Sequence, residues 1–266
     1  MADGAGVGDV LIERGVDYGL GKLADIYRPR RAGPAPLALL WHGVGVDERD
    51  VLEPLATAVA GLGVAVVVPD WESEVADGGR THLLASLDFA RALARERSAE
   101  LATGPGGEFA LAGWSRGSRM AVSLALNPET VGGWRPSAVV GLAGGFRRAT
   151  PMSPVGNGPI ADITRTTAPK PVPLHLMHGA RDTRVDIQQL RDFAAAAASR
   201  GWPVRLAEPD TDHAGIVMTE WDAARRRCRP TTEAHAIAAG RLSARTIADA
   251  ARTMSRTTRP ATGAAG

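Results

Sequence analysis

The pentapeptide Gly113-Trp114-Ser115-Arg116-Gly117 carries the strongest chemical signal in this sequence. It matches G-x-S-x-G, a spacing that can present a serine as a nucleophile when the flanking elements agree. Upstream, residues 108–112 read as a short buried strand introduced by the turn Gly104-Pro105-Gly106-Gly107. Downstream, apolar residues recur at helical spacing over 118–126, and the helix is expected to end near Asn127-Pro128. A serine on such a strand-to-helix turn holds its hydroxyl out of the fold, at the positive end of a helix. Glycines two residues to either side let neighbouring backbone approach without a Cβ clash. In a chain with 31 glycines the pentapeptide also arises by chance, so its meaning rests on its partners.

A serine hydroxyl needs a base to take its proton and a third group to orient that base. Six histidines are available. His82 and His235 lie in helix-like stretches, while His175 and His178 sit in or beside the apolar run 172–178. His42 precedes a glycine after a strand-like run. His213 differs, because it follows the expected strand 203–207 and stands in the polar loop Asp210-Thr211-Asp212-His213-Ala214-Gly215. A loop at the carboxyl edge of a sheet can deliver an imidazole to a serine on a neighbouring strand. Asp182 is the preferred orienting carboxylate, since 178–185 closes a strand and opens a helix at the same edge. The rivals are Asp186, which could cap that helix, and Asp212, which adjoins the histidine but would seldom face it.

With these residues in place, the chain resembles the α/β-hydrolase superfamily over nearly all its length. It is similar to the esterase and dienelactone-hydrolase-like branches. Asp17-Tyr18-Gly19 with Ala24-Asp25-Ile26-Tyr27-Arg28-Pro29 looks like the opening hairpin of small carboxylesterases. Leu39-Leu40-Trp41-His42-Gly43-Val44-Gly45 looks like their third strand and oxyanion loop, and His178-Gly179-Ala180-Arg181-Asp182 resembles their acid-bearing HGxxD segment. The order Ser115, Asp182, His213 is the one that topology imposes. Dienelactone hydrolases proper use a cysteine nucleophile, so serine at 115 does not imply that activity. The oxyanion loop departs from HGGG, since Val44 replaces the second glycine, but a backbone donor needs no particular side chain. The resemblance implies Arg116 as one oxyanion donor and Val44 or Gly43 as the other.

The elements that must position these groups are legible in the alternation of the chain. Strand-like runs at 37–41, 64–69, 109–113, 138–143, 174–178 and 204–207 alternate with helical stretches at 50–61, 81–97, 116–126 and 186–200. The expectation is an α/β protein with a mostly parallel central sheet, an antiparallel amino-terminal hairpin and helices on both faces. One domain over 1–254 is expected, with a short lid segment at about 146–173, and a disordered tail at 255–266. A helix over 231–254 would cover the core or form a homodimer contact. The proline-rich, apolar-poor lid is weak material for gripping long acyl chains. Trp114, Trp71 and Phe146 fall at carboxyl ends of strands, where they would line an acyl pocket or pack the core.

Composition narrows the partners. A formal net charge of +2 gives no footprint for nucleic acid. Arg225, Arg226, Arg227 and Arg229 form one basic cluster, read as a solvated helix face. The single cysteine, Cys228, permits no intrachain disulfide and has no metal-ligand spacing around it. No stretch reaches transmembrane length, and residues 1–20 lack an apolar signal core. The expectation is a cytoplasmic serine hydrolase of small-molecule esters, needing no cofactor or metal and no membrane partner. Acyl transfer or amide hydrolysis by the same groups, or a catalytically silent binding homologue, are the alternatives.

Overall fold

Alternate residues of the central strands feed two different cores, which is how one sheet organises the whole chain. The computed structural model describes residues 9–165 and 169–253. In chain order it runs β1 (Val10–Gly19), β2 (Lys22–Pro29), β3 (Ala35–Trp41), α1 (Glu53–Gly61), β4 (Ala65–Pro69), α2 (Arg80–Glu96), β5 (Leu101–Ala102), β6 (Ala110–Trp114) and α3 (Arg116–Leu126). It continues with β7 (Ala138–Leu142), α4 (Pro159–Ile163), β8 (Leu174–Met177), α5 (Gln188–Ser199), β9 (Val204–Ala207), β10 (Thr219–Asp222), β11 (Arg227–Pro230) and α6 (Ala234–Arg252). The sheet order is β1-β2-β4-β3-β6-β7-β8-β9, with β5 added to β3. The first three strands of that path pair antiparallel, and the neighbours from β4 onward are parallel.

Strand β3 is buried at every position, as expected of a parallel strand covered on both faces. Because side chains alternate along a strand, Leu37, Leu39 and Trp41 face one layer and Ala38 and Leu40 the other. The first set packs with Leu83 and Leu87 of α2, Leu124 of α3 and Phe193 of α5. The second packs with Leu55 and Val59 of α1 and Ile247 and Ala248 of α6. The carboxyl-terminal helix therefore spends its apolar face on the sheet. The expected tail at 255–266 lies outside the described residues.

Three elements differ from the sequence reading. Segment 225–229 is not a helix face but part of the β10–β11 hairpin. Asp222 accepts the N–H groups of Ala224 and Arg225 at its turn, and Arg229 pairs with Glu220 directly across the ladder. Strand β5 is a two-residue addition too short to leave a pattern. Within 146–165, α4 lies against α3, with Met152 and Ile163 buried in the core; Asp162 is buried too, hydrogen-bonded to Asn127 and Ser153. Among the described residues no helix is long and apolar enough to cross a membrane.

Candidate active site

Ser115 sits on the turn between β6 and α3 with φ 55° and ψ −116°. A non-glycine residue in this region costs about 1–3 kcal/mol and persists only where its surroundings over-determine it. Here the Ser115 N–H donates to Leu142 O at 2.8 Å, and neighbouring backbone is pressed against the turn. A Cβ on Gly113 would lie 2.3 Å from the Gly117 carbonyl carbon, and one on Gly117 would lie 2.4 Å from the His42 oxygen. The two motif glycines are thus required by contact distance.

His213 arrives in the loop after β9 and Asp182 in the turn after β8, both at the carboxyl edge. His213 Nε2 lies 3.0 Å from Ser115 Oγ, and its Nδ1 lies 2.7 Å from Asp182 Oδ2. With Nδ1–H donating to the carboxylate, Nε2 is free to accept the serine proton. Asp182 has no exposed side-chain surface. Its Oδ1 accepts the N–H groups of Arg184 (2.8 Å) and Val185 (3.0 Å). His178 Nε2 approaches Oδ2 at 3.0 Å and also donates to Val185 O. Burial pushes the Asp182 carboxyl up, but the hydrogen bonds from His178 and His213, the His213 charge and the Val185 amide outweigh it. The group is held well below the usual carboxylate range. The two rivals are occupied elsewhere: Asp212 Oδ1 accepts Gly215 N–H, and Asp186 Oδ1 accepts Gln188 N–H.

The loop after β3 closes over the serine. A Cβ on Gly43 would lie 3.1 Å from the Trp114 ring and 3.5 Å from Ser115 Cβ. The fully buried His42 holds this loop, since its Nε2 accepts the N–H groups of Trp71 and Glu48, each at 3.2 Å. Its Nδ1–H then donates to Gly43 O at 3.2 Å. Burial drives the imidazole down to about 3, aided by the nearby Arg227, Lys22 and Arg49 cations and opposed by the bond to Gly43. His42 is therefore neutral, in one tautomer. Arg116 opens α3, where the first N–H groups have no intrahelical acceptor.

No protein-family profile matches this sequence, and no curated protein is detectably similar to it in sequence. Solved structures match over nearly all of it. Brefeldin A esterase, described as a bacterial homologue of human hormone-sensitive lipase, superposes with a TM-score of 0.64 at 18% identity, covering 92% of this chain and 78% of its own. A bacterial heroin esterase gives 0.63 at 18% identity, covering 96% of this chain and 86% of its own. A hyperthermophilic esterase from the archaeon Pyrobaculum calidifontis gives 0.63 at 16%, over 90% and 85%. This chain has the α/β-hydrolase fold.

In this α/β-hydrolase-fold chain a cavity of about 750 Å³ opens above Ser115 and His213, with Val44, Trp114 and Arg116 in its lining. Gly43 is not among its lining residues. Trp114 also donates its Nε1–H to His213 O at 2.9 Å. Trp71 and Phe146 do not line the cavity, which corrects their reading as pocket residues. Trp71 is fully buried against His42, with its Nε1–H donating to His42 O, and Phe146 packs on Phe193 at 4.7 Å between ring centroids. Both lie one layer below the surface, where a strand end and a pocket wall look alike in sequence. His178 and Trp114 as braces of the site were not foreseen. For His178 the available signal was its place four residues before the acid.

Among the described residues no group of three or more His, Cys, Asp or Glu side chains is placed to hold a metal ion.

Proposed function

We propose that this chain is a serine hydrolase that cleaves a carboxylic ester of a small molecule through an acyl-enzyme. The observation that carries the reading is the continuous hydrogen-bonded line from Ser115 Oγ through His213 to Asp182 at the floor of the cavity. The cavity volume falls in the range of small-molecule sites, and the three solved structures described above are esterases by name.

In the first half-reaction Ser115 Oγ attacks the ester carbonyl carbon as its proton passes to His213 Nε2. The carbonyl oxygen becomes an oxyanion, met by the Arg116 N–H and by that of Val44 or Gly43. Asp182 keeps the imidazole in the required tautomer and stabilises its protonated form. Collapse breaks the bond to the leaving alkoxide, which takes the proton from His213. A water then attacks the acyl carbon, gives a proton to His213, and the released Ser115 Oγ takes that proton back. The carboxylic acid departs.

The test is labelling by a fluorophosphonate probe together with turnover of p-nitrophenyl acetate. Wild type should label rapidly and turn over, and Ser115→Ala should do neither while keeping its melting temperature. Equal turnover by wild type and Ser115→Ala would overturn the reading.

A further inference from the structure

Six arginines line the cavity above Ser115: Arg116, Arg119, Arg147, Arg148, Arg184 and Arg226. The carboxylates among the lining residues are Glu48 and Asp212, and both have backbone partners, Gly45 N–H and Gly215 N–H. Arg116 and Arg147 pair outward with Glu74 and Asp192. Arg184 lies over the Trp221 ring at 5.4 Å. Among the described residues Arg119 and Arg148 have no acid partner at all.

Arg119 is the decisive member. It is only 8% exposed, and its Nε is buried with no hydrogen-bond partner among the described residues. Its charged neighbours are Arg116 and Arg148, so burial first and those cations next pull the guanidinium down to about 10. It stays charged at neutral pH. Buried cations are ordinarily paired, and leaving one unpaired is costly unless a ligand supplies the partner. The guanidinium fork matches the paired oxygens of a carboxylate or phosphate. Arg119 also stands one helical turn beyond the nucleophile, about 6 Å along α3, with its N–H donating to Ser115 O.

We propose that Arg119, with Arg148 and Arg116 beside it, forms an anion subsite, and that the ester this site takes carries a carboxylate or phosphate a few bonds from the scissile carbonyl. The inference rests on the hydrolase reading for its substrate but not for its binding. The subsite lies on the wall formed by α3 and the loop after β7. The cations of Arg184 and Arg226 across the cavity add to the attraction of an incoming anion.

The experiment uses paired esters at constant ionic strength. One pair is mono-p-nitrophenyl glutarate and its methyl-capped ester, which places the charge in the acyl part. The other is 4-acetoxybenzoate and its methyl ester, which places it in the alcohol part. Wild type should favour the charged member of at least one pair by about ten- to hundredfold in kcat/KM, the factor supplied by hydrogen bonds to a charged group. Arg119→Met should bring that ratio close to one, and Arg119→Lys should keep part of it. Independently, glutarate or inorganic phosphate should raise the melting temperature of wild type but not of Arg119→Met, and whichever is effective names the group. Equal turnover of both members of both pairs, with no shift from either anion, overturns the subsite and leaves the hydrolase standing. An anion-induced shift lost in Arg119→Met, without turnover of any ester, overturns the hydrolase and keeps the subsite.

Discussion

The indole Nε1–H of Trp114 donates to the backbone carbonyl of His213 at 2.9 Å, with the two rings 5.4 Å apart. The residue just before Ser115 thus grips the loop that brings the imidazole to it. Trp114→Phe would keep most of the ring and lose the bond. A net hydrogen bond is worth about 1 kcal/mol, so kcat on p-nitrophenyl acetate should fall about five- to tenfold, with a smaller change in KM. An unchanged kcat would show that the loop is held without the indole.

The two candidate acids make opposite predictions. Asp182→Asn should lower kcat by up to about ten-thousandfold, because the amide leaves His213 in the wrong tautomer. Asp212→Asn should keep nearly full activity, since that side chain caps its own turn. Steady-state kinetics on the two variants decides the matter, and a crippled Asp212→Asn beside an active Asp182→Asn would reverse the assignment.

The site was legible where local geometry and chemistry coincide. The motif around Ser115 needs a strand, a turn and a helix in immediate succession, all written within one stretch of chain. The loops of His213 and Asp182 each follow a strand-like run, a buried one before Asp182 and a half-exposed edge strand before His213. Illegible were features set by what lies across the fold. Trp71 and Phe146 end strands as pocket residues do, yet neighbouring layers cover them. Segment 225–229 is charged enough for a helix face, but Asp222 turns the chain into a hairpin whose arginines find acids on β10 and at Asp50. Arg119 is the one charged side chain among the buried residues of α3, beside the buried polar Ser118 and Ser123, and only the assembled cavity shows that it has no acid partner among the described residues.

Acid should weaken the fold through His42. Its pKa in the folded chain is about 3 against an ordinary 6.5. The unfolded chain therefore takes up a proton below 6.5 that the folded chain refuses. The stability this neutral imidazole contributes is fully present above pH 6.5 and is lost as the pH falls towards 3. The slope is up to about 1.4 kcal/mol per pH unit for one proton. In denaturant titrations between pH 6.5 and 4, His42→Gln should show a shallower loss of stability than wild type by up to that amount, although it is less stable at pH 7. Parallel slopes for the two proteins would mean that His42 does not exclude the proton.

Acyl-chain preference follows from what lines the cavity rather than from its size. Trp71 and Phe146 do not crowd it, and about 750 Å³ leaves room for a long chain. Its walls, however, carry six arginines beside Val44, Trp114 and Trp221. A methylene gains about 0.8 kcal/mol, or roughly fourfold in kcat/KM, only when it leaves water for apolar surroundings. Against hydrated guanidinium groups it gains little and displaces water those groups need. On neutral p-nitrophenyl esters, kcat/KM should therefore peak between acetate and butyrate and stay level or fall beyond, with no activation at an oil–water interface. A steady rise of about fourfold per added carbon through octanoate and decanoate would sink this, because it requires an apolar channel that the arginine-lined walls do not provide.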